Sequence, residues 1–231
     1  MKDFRAKLVS VKELTADVRQ FSFEPDTDFH FEAGQFVMID IIDEQAPTAS
    51  RAYSIASTPG SGVIELVIKL RDGRGSNFLR GLSEGDSVSM KGPFGHFAID
   101  KSSGKDLVFI ATGTGIAPIN SMIRSLLESG DARKMRLFFG LRHFNDVFWR
   151  EEFEKLAAEH ENFDVILSLS RPDDSPWDGR QGRVTSIIAE ENFDFSNIQV
   201  YLCGNKAMVD ETKHFFVEHG VSVQDIRHEI F

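Results

Sequence analysis

The chain has 231 residues, enough for two domains that each bury a core of their own. With 41% hydrophobic and 27% charged residues it is composed like a globular protein, which excludes a disordered, collagenous or coiled-coil chain. A formal net charge of -10 without any run of Lys and Arg excludes a nonspecific electrostatic grip on nucleic acid or an anionic membrane; the single cysteine, Cys203, excludes an internal disulfide and the four thiolates of an iron–sulfur cluster.

The N-terminal segment MKDFRAKLVSVKELTADVRQF scatters its charges and has no apolar run of the signal-peptide kind, and no stretch reaches the length of a membrane span, so a cytoplasmic protein is expected. Residues 1–100 read as short strands between turn signals, the pattern of an antiparallel barrel or sandwich. The strands are expected at Gln20–Glu24, Gln35–Ile42, Ala52–Ala56, Val63–Leu70 and Ser87–Lys91, with breaks at Thr58-Pro59-Gly60, Asp72-Gly73 and Gly92-Pro93. One short helix fits between them, from Ser76 to Leu82, opened by a Ser or Asn cap. After the polar segment 101–105 the pattern changes to apolar strands alternating with helices, which signals a parallel sheet wrapped by helices. Strands are expected at Leu107–Ala111, Met135–Gly140, Phe163–Leu169 and Gln199–Cys203, and helices near Ala117–Ser129, Phe148–Glu159, Val184–Glu190 and Lys206–His219. The expected domains are 1–100 and 105–231.

Four segments carry chemistry. Arg51-Ala52-Tyr53-Ser54 offers a cation, a flat aromatic and a hydroxyl, read here as alternating along one strand face. Alone it reads more readily as a surface strand with a stray arginine. Asp72-Gly73-Arg74-Gly75-Ser76-Asn77 leads two glycines into the short helix, a turn that suits a pyrophosphate and equally an ordinary strand-to-helix connection. Ala111-Thr112-Gly113-Thr114-Gly115-Ile116-Ala117-Pro118 stands between an apolar strand and a helix, the context that makes a glycine motif a nucleotide site. Its spacing is G-x-G-x-x-P, and the next strand ends in Leu141-Arg142 with no carboxylate to grip a ribose, so the pocket departs from the usual dinucleotide pattern. Tyr201-Leu202-Cys203-Gly204-Asn205-Lys206 is again a strand meeting a helix through a glycine; a lone cysteine there reads as a buried small hydrophobe or as a residue facing a ligand. The seven His lack metal-site spacing, and no metal is expected.

In combination and in order, RAYSIAS, GRGSNFL, GPFGHF, ATGTGIAP, YLCGNKAM and the terminal RHEIF resemble the motifs of the ferredoxin–NAD(P)H reductase superfamily. The resemblance implies a flavin-binding antiparallel barrel followed by an α/β parallel-sheet nucleotide domain. It implies that Arg51 binds the flavin pyrophosphate, that Tyr53, flanked by Ala52, packs on the isoalloxazine, and that Ser54 hydrogen-bonds near N5. Gly75, Ser76 and Asn77 would meet the pyrophosphate, while Ile68 and Lys69 line the adenosine side, which favours FAD over FMN. Thr112, Gly113, Thr114, Gly115 and Pro118 would lie under NAD(P)H, Cys203 and Gly204 would flank the nicotinamide, and Phe231, with Glu229 nearby, would shield the flavin. Ser54, Cys203, Glu229 and Phe231 are thereby the expected catalytic group. Ser170-Arg171 resembles a 2′-phosphate pair, and Arg171, Arg180 and Arg183 keep NADPH beside NADH, with Arg142 a further cofactor-binding candidate.

The implied activity is hydride transfer between NAD(P)H and FAD, with single electrons passed to a separate carrier such as ferredoxin or flavodoxin. A monomer without nucleic-acid or membrane partners is expected. Two related readings stand beside it: an NAD(P)H:free flavin reductase, and the reductase component of a multicomponent oxygenase. Lys69, Arg71, Arg74 and Lys91 are the candidates for a local basic patch that meets an acidic carrier.

Overall fold

Alternation of apolar and polar residues begins almost at once. Phe4, Ala6 and Leu8 are buried while their neighbours face solvent, and this two-residue period forms β1, Lys2–Glu13, a twelve-residue strand that the scattered charges had concealed. The computed structural model describes residues 2–43 and 46–231. In space the described chain divides into two units, one running to Ile99 together with Asn120–Ser125, the other comprising Asp100–Ile119 and Leu126–Phe231.

The first unit continues with β2 (Val18–Pro25), β3 (Phe36–Asp43), β4 (Ala46–Ser54), β5 (Ile64–Lys69) and β6 (Ser87–Phe94). These form an antiparallel sheet in the order β4-β3-β6-β1-β2-β5. Its two outer strands meet where Ile55 bridges Leu66 and the Ala56 amide donates to the Glu65 carbonyl at 2.7 Å, so the sheet curls closed as a barrel. Leu8, Phe21, Phe23, Ile39, Ile41 and Leu66, each at most 1% exposed, fill it.

The helix of this unit, α1, spans Arg74–Arg80, two residues earlier than expected, and no Ser or Asn caps it. Gly73 holds the cap position at φ 132°, a conformation that neither residue adopts readily, and the Ser76 hydroxyl instead accepts the Arg71 amide at 3.0 Å.

The second unit is an all-parallel sheet. β7 (Asp106–Thr112), β8 (Met135–Leu141), β9 (Phe163–Leu169), β10 (Arg180–Gln181), β11 (Ile198–Gly204) and β12 (Ile226–Ile230) take the order β10-β9-β8-β7-β11-β12. The helices are α2 (Ile116–Glu128), α3 (Arg150–Glu159), α4 (Val184–Ala189) and α5 (Lys206–Glu218). Strands succeed one another outward from β7 through β8 to β9, and then the chain returns to lay β11 on the other side of β7. That reversal creates a crevice at the carboxyl ends of β7 and β11, where open α/β sheets bind ligands. Among the described residues, no helix is long and apolar enough to cross a membrane.

Candidate functional site

In the first unit the site begins on β4. A strand turns alternate residues to opposite faces, so Arg51 and Tyr53 share one face while Ala52 and Ser54 share the other. The expectation that cation, ring and hydroxyl line a single face is corrected for Ser54. Arg51 and Tyr53 look toward α1: a β-carbon added to Gly75 would lie 3.4 Å from the Tyr53 hydroxyl and 3.6 Å from Arg51 Cγ. Glycine thus leaves a small cradle bounded by the Arg51 side chain, the Tyr53 phenol and the first turn of a helix. These are donors, and together they match the chemistry of a phosphate.

Burial raises the Tyr53 pKa and the nearby Arg51 charge partly offsets this, so the phenol stays protonated at neutral pH. Arg51 donates one bond, to the Ser50 carbonyl at 3.0 Å, and its exposed guanidinium has donors to spare. Asn77 Oδ1 accepts from Arg80 at 3.1 Å and Arg80 also donates to the Arg71 carbonyl at 3.1 Å, so the oxygens of Ser76 and Asn77 hold the loop together. What these two residues can offer an anion is N–H and O–H donors. Ile68 is 6% exposed and its side chain lies in the barrel core; Lys69 is paired with Asp17 at 2.8 Å. Of the four basic-patch candidates, Lys91 faces Asp40 at 3.7 Å and Arg74 donates to the Pro47 carbonyl at 2.8 Å.

In the second unit, Thr112 closes β7, Gly113 turns at φ 55° with open space where a side chain would be, and Gly115 leads into α2. A β-carbon on Gly115 would come within 2.3 Å of the Cys203 carbonyl oxygen, and one on Gly204 within 2.1 Å of Thr112 Oγ1. The two glycine turns therefore touch through their backbones at the switch point. Thr112 Oγ1 also accepts from the Asn205 amide at 3.3 Å and from Asn205 Nδ2 at 3.2 Å, while Asn205 Oδ1 caps α5 by accepting the Met208 amide at 3.0 Å. Sequence reading includes Asn205 in this segment without assigning it a role, although Asn followed by a helical pattern is a cap signal. Pro118 is buried in the first turn of α2.

Cys203 is fully buried, and β12 places Glu229 in register with it. Burial, with the Glu229 charge as a lesser cause, lifts the Cys203 thiol well above its usual pKa; burial also raises the Glu229 carboxyl. The sulfur is thus a neutral thiol and not a nucleophile. Phe231 is 61% exposed, its amide donating to the Gly204 carbonyl at 3.4 Å.

At the ends of β8 and β9 the Arg171 amide donates to the Arg142 carbonyl at 2.8 Å, so two exposed arginines stand on adjacent chain segments, next to Ser170. His143 pairs with Asp173 at 2.8 Å on the same rim, a contact that sequence spacing does not reveal. The Arg180 guanidinium is paired with Glu190 and Glu191.

Comparison with known proteins agrees with both units. Residues 5–99 match the family model of the oxidoreductase FAD-binding domain and residues 109–214 that of the oxidoreductase NAD-binding domain. The chain is 36% identical over 216 residues to ferredoxin--NADP reductase B of Sorangium cellulosum, covering 89% of this chain and 88% of that protein. It is 32% identical over 239 residues to the phenol hydroxylase P5 protein of Acinetobacter pittii, covering all of this chain but only 66% of the relative's length. The crystal structure of Amycolatopsis cytochrome P450 reductase GcoB superimposes with a TM-score of 0.90 at 28% identity, over 100% of this chain and 70% of that one. The chain therefore belongs to the ferredoxin–NAD(P)H reductase superfamily, as an oxidoreductase that joins an FAD-binding barrel to an NAD(P)-binding α/β domain.

Proposed function

We propose that the chain takes hydride from NAD(P)H onto FAD and passes single electrons to a separate carrier protein such as ferredoxin or flavodoxin. The observation that carries this reading is that one chain holds both a phosphate cradle bounded by Arg51, Tyr53 and Gly75 and a glycine-lined crevice at the switch point of a parallel sheet. FAD, when bound, supplies the conversion of two-electron hydride chemistry to one-electron transfer.

The residues of the chain supply position and charge. Arg51 balances the pyrophosphate, and Gly75 keeps a side chain out of the approach to it. Tyr53 gives the ring system a flat, protonated neighbour, and Ser54 offers a hydroxyl from the end of β4. Gly113 and Thr114 present backbone to the dinucleotide, while Thr112 and Asn205 lock the two turns that frame it. Cys203, fully buried, packs beneath the Gly204 turn as a small uncharged side chain rather than offering a surface of its own. Glu229, with its raised pKa, holds a proton more readily than an ordinary carboxylate and is the group here best suited to take up or release one.

The lone, buried Cys203 cannot ligate a cluster, so an iron–sulfur acceptor would lie outside these 231 residues. The phenol hydroxylase relative favours a second, compatible reading, in which the same electrons feed a multicomponent oxygenase. The test is anaerobic: the NADPH-reduced protein is mixed with oxidised ferredoxin, flavodoxin or free FMN. Rapid reduction of a carrier protein supports the proposal, and reduction of free flavin alone contradicts it. Arg142 and Arg171 favour NADPH as a substrate beside NADH, and a cytoplasmic monomer is proposed.

A further inference from the structure

The segment from Pro172 to Gly179, between β9 and β10, connects the rim that carries Arg171 to the far edge of the sheet. Its C-terminal end is held from α3. Arg150, the first residue of that helix, directs Nη1 to Asp178 at 2.6 Å and Nε to Glu154 at 2.6 Å, and its guanidinium carbon lies 5.0 Å from the centre of the Trp177 ring. Trp177 is buried, donates its indole N–H to the Arg180 carbonyl at 2.9 Å, and leaves no room for a side chain at Gly179, where a β-carbon would sit 2.4 Å from the ring.

The base of this brace is an aromatic cluster. Trp149, immediately before Arg150, is held at φ 58° and packs edge-on against Phe148 and Phe153 with ring centres at 5.5 and 6.2 Å. Asp173, at the other end of the segment, is the one other described non-glycine residue with positive φ, at 54°, and is tied to His143. Strained backbone persists only where surrounding contacts fix it.

We infer that Arg150 is a positioning residue for the dinucleotide: it pins Asp178 and Trp177, and through them holds the segment that begins at Arg171 in the conformation that presents the Arg171 guanidinium to the nucleotide phosphate. The inference rests on the proposed reading of this unit as the NAD(P) site. Asp178 is largely exposed, so the ion pair contributes little to overall stability, and its effect belongs in nucleotide affinity.

The test uses the FAD-loaded protein and the variants Arg150→Met, Asp178→Asn, Arg171→Ala and the double variant Arg150→Met with Arg171→Ala. Calorimetry gives the Kd for NADP+, and steady-state reduction of ferricyanide gives KM and kcat for NADPH. The expected result is a Kd and KM raised about three- to tenfold in Arg150→Met and in Asp178→Asn. In both, kcat stays within about twofold and the flavin absorbance is kept, because the brace touches no reacting group. In the Arg171→Ala background, Arg150→Met should add nothing.

An unchanged Kd in Arg150→Met and Asp178→Asn, with a raised one in Arg171→Ala, overturns the inference and leaves the nucleotide site standing. A full additional loss in the double variant also overturns it. An unchanged Kd in Arg171→Ala removes Arg171 from the nucleotide site and takes the inference with it.

Discussion

The hydroxyl oxygen of Thr112 occupies the place that a β-carbon on Gly204 would need, 2.1 Å from it. Gly204→Ala should therefore cost about 1–3 kcal/mol by overpacking, and Thr112→Ala in the same chain should return part of it. Gly115→Ala meets the Cys203 carbonyl, a backbone atom, so no side-chain trimming should rescue it. Chemical denaturation of the three single variants and the double variant measures all of these.

Gly75→Ala should separate stability from cofactor binding. The new methyl makes ordinary contacts with Tyr53 and Arg51, and alanine in a helix is favoured over glycine by about 0.5–1 kcal/mol, so the apoprotein should melt no lower than the parent. The same methyl fills the cradle, and FAD should bind more weakly. Melting temperature of the apoprotein and a FAD titration give the two answers independently.

Arg51→Ala removes a charge-assisted partner of the flavin pyrophosphate. A bond of that kind contributes about 1.5–3 kcal/mol, so FAD affinity should fall about 10- to 100-fold while the fold survives, since the Arg51 side chain is exposed. Fluorescence titration of apoprotein with FAD reads the change.

Glu229 has a carboxyl pKa raised by burial. The folded state then holds a proton that the unfolded chain releases near the ordinary carboxylate value, so stability is full below that value and falls as pH rises through the raised folded one. Glu229→Gln should be more stable than the parent at neutral pH and indistinguishable from it in acid. Cys203 obeys the same sign in a higher window, with stability falling as pH rises above the ordinary thiol range. Denaturation midpoints between pH 4 and 10 in the parent, Glu229→Gln and Cys203→Ala check both.

Much of this architecture was legible because its periods are local. The apolar cores of β7, β8, β9 and β11 are continuous runs, and α2 and α5 repeat on a helical period, so each stands out against its flanks. β1 obeys a two-residue period in Phe4, Ala6 and Leu8, yet the charges on its outer face hid that period and no strand was expected there. β12 has only Ile226 and Ile230 to show, and it exists because β11 offers it a parallel edge, which no local pattern records. The site behaved likewise. Glycine turns announced themselves at Gly113, Gly115 and Gly204, whereas the Gly75 cradle, the Thr112–Asn205 lock and the His143–Asp173 pair join residues 22 or more positions apart and appear only after folding. The face of Ser54 was misread because a motif was taken as a unit when the strand divides it.

The absorbance spectrum of the purified protein, followed during anaerobic titration with NADH and then NADPH and with the released cofactor identified after denaturation, tests the central claim most directly. The expected result is a yellow protein that carries FAD and bleaches when reduced nucleotide is added. A protein that retains no flavin when reconstituted with FAD, or whose bound FAD neither nucleotide reduces, would contradict it.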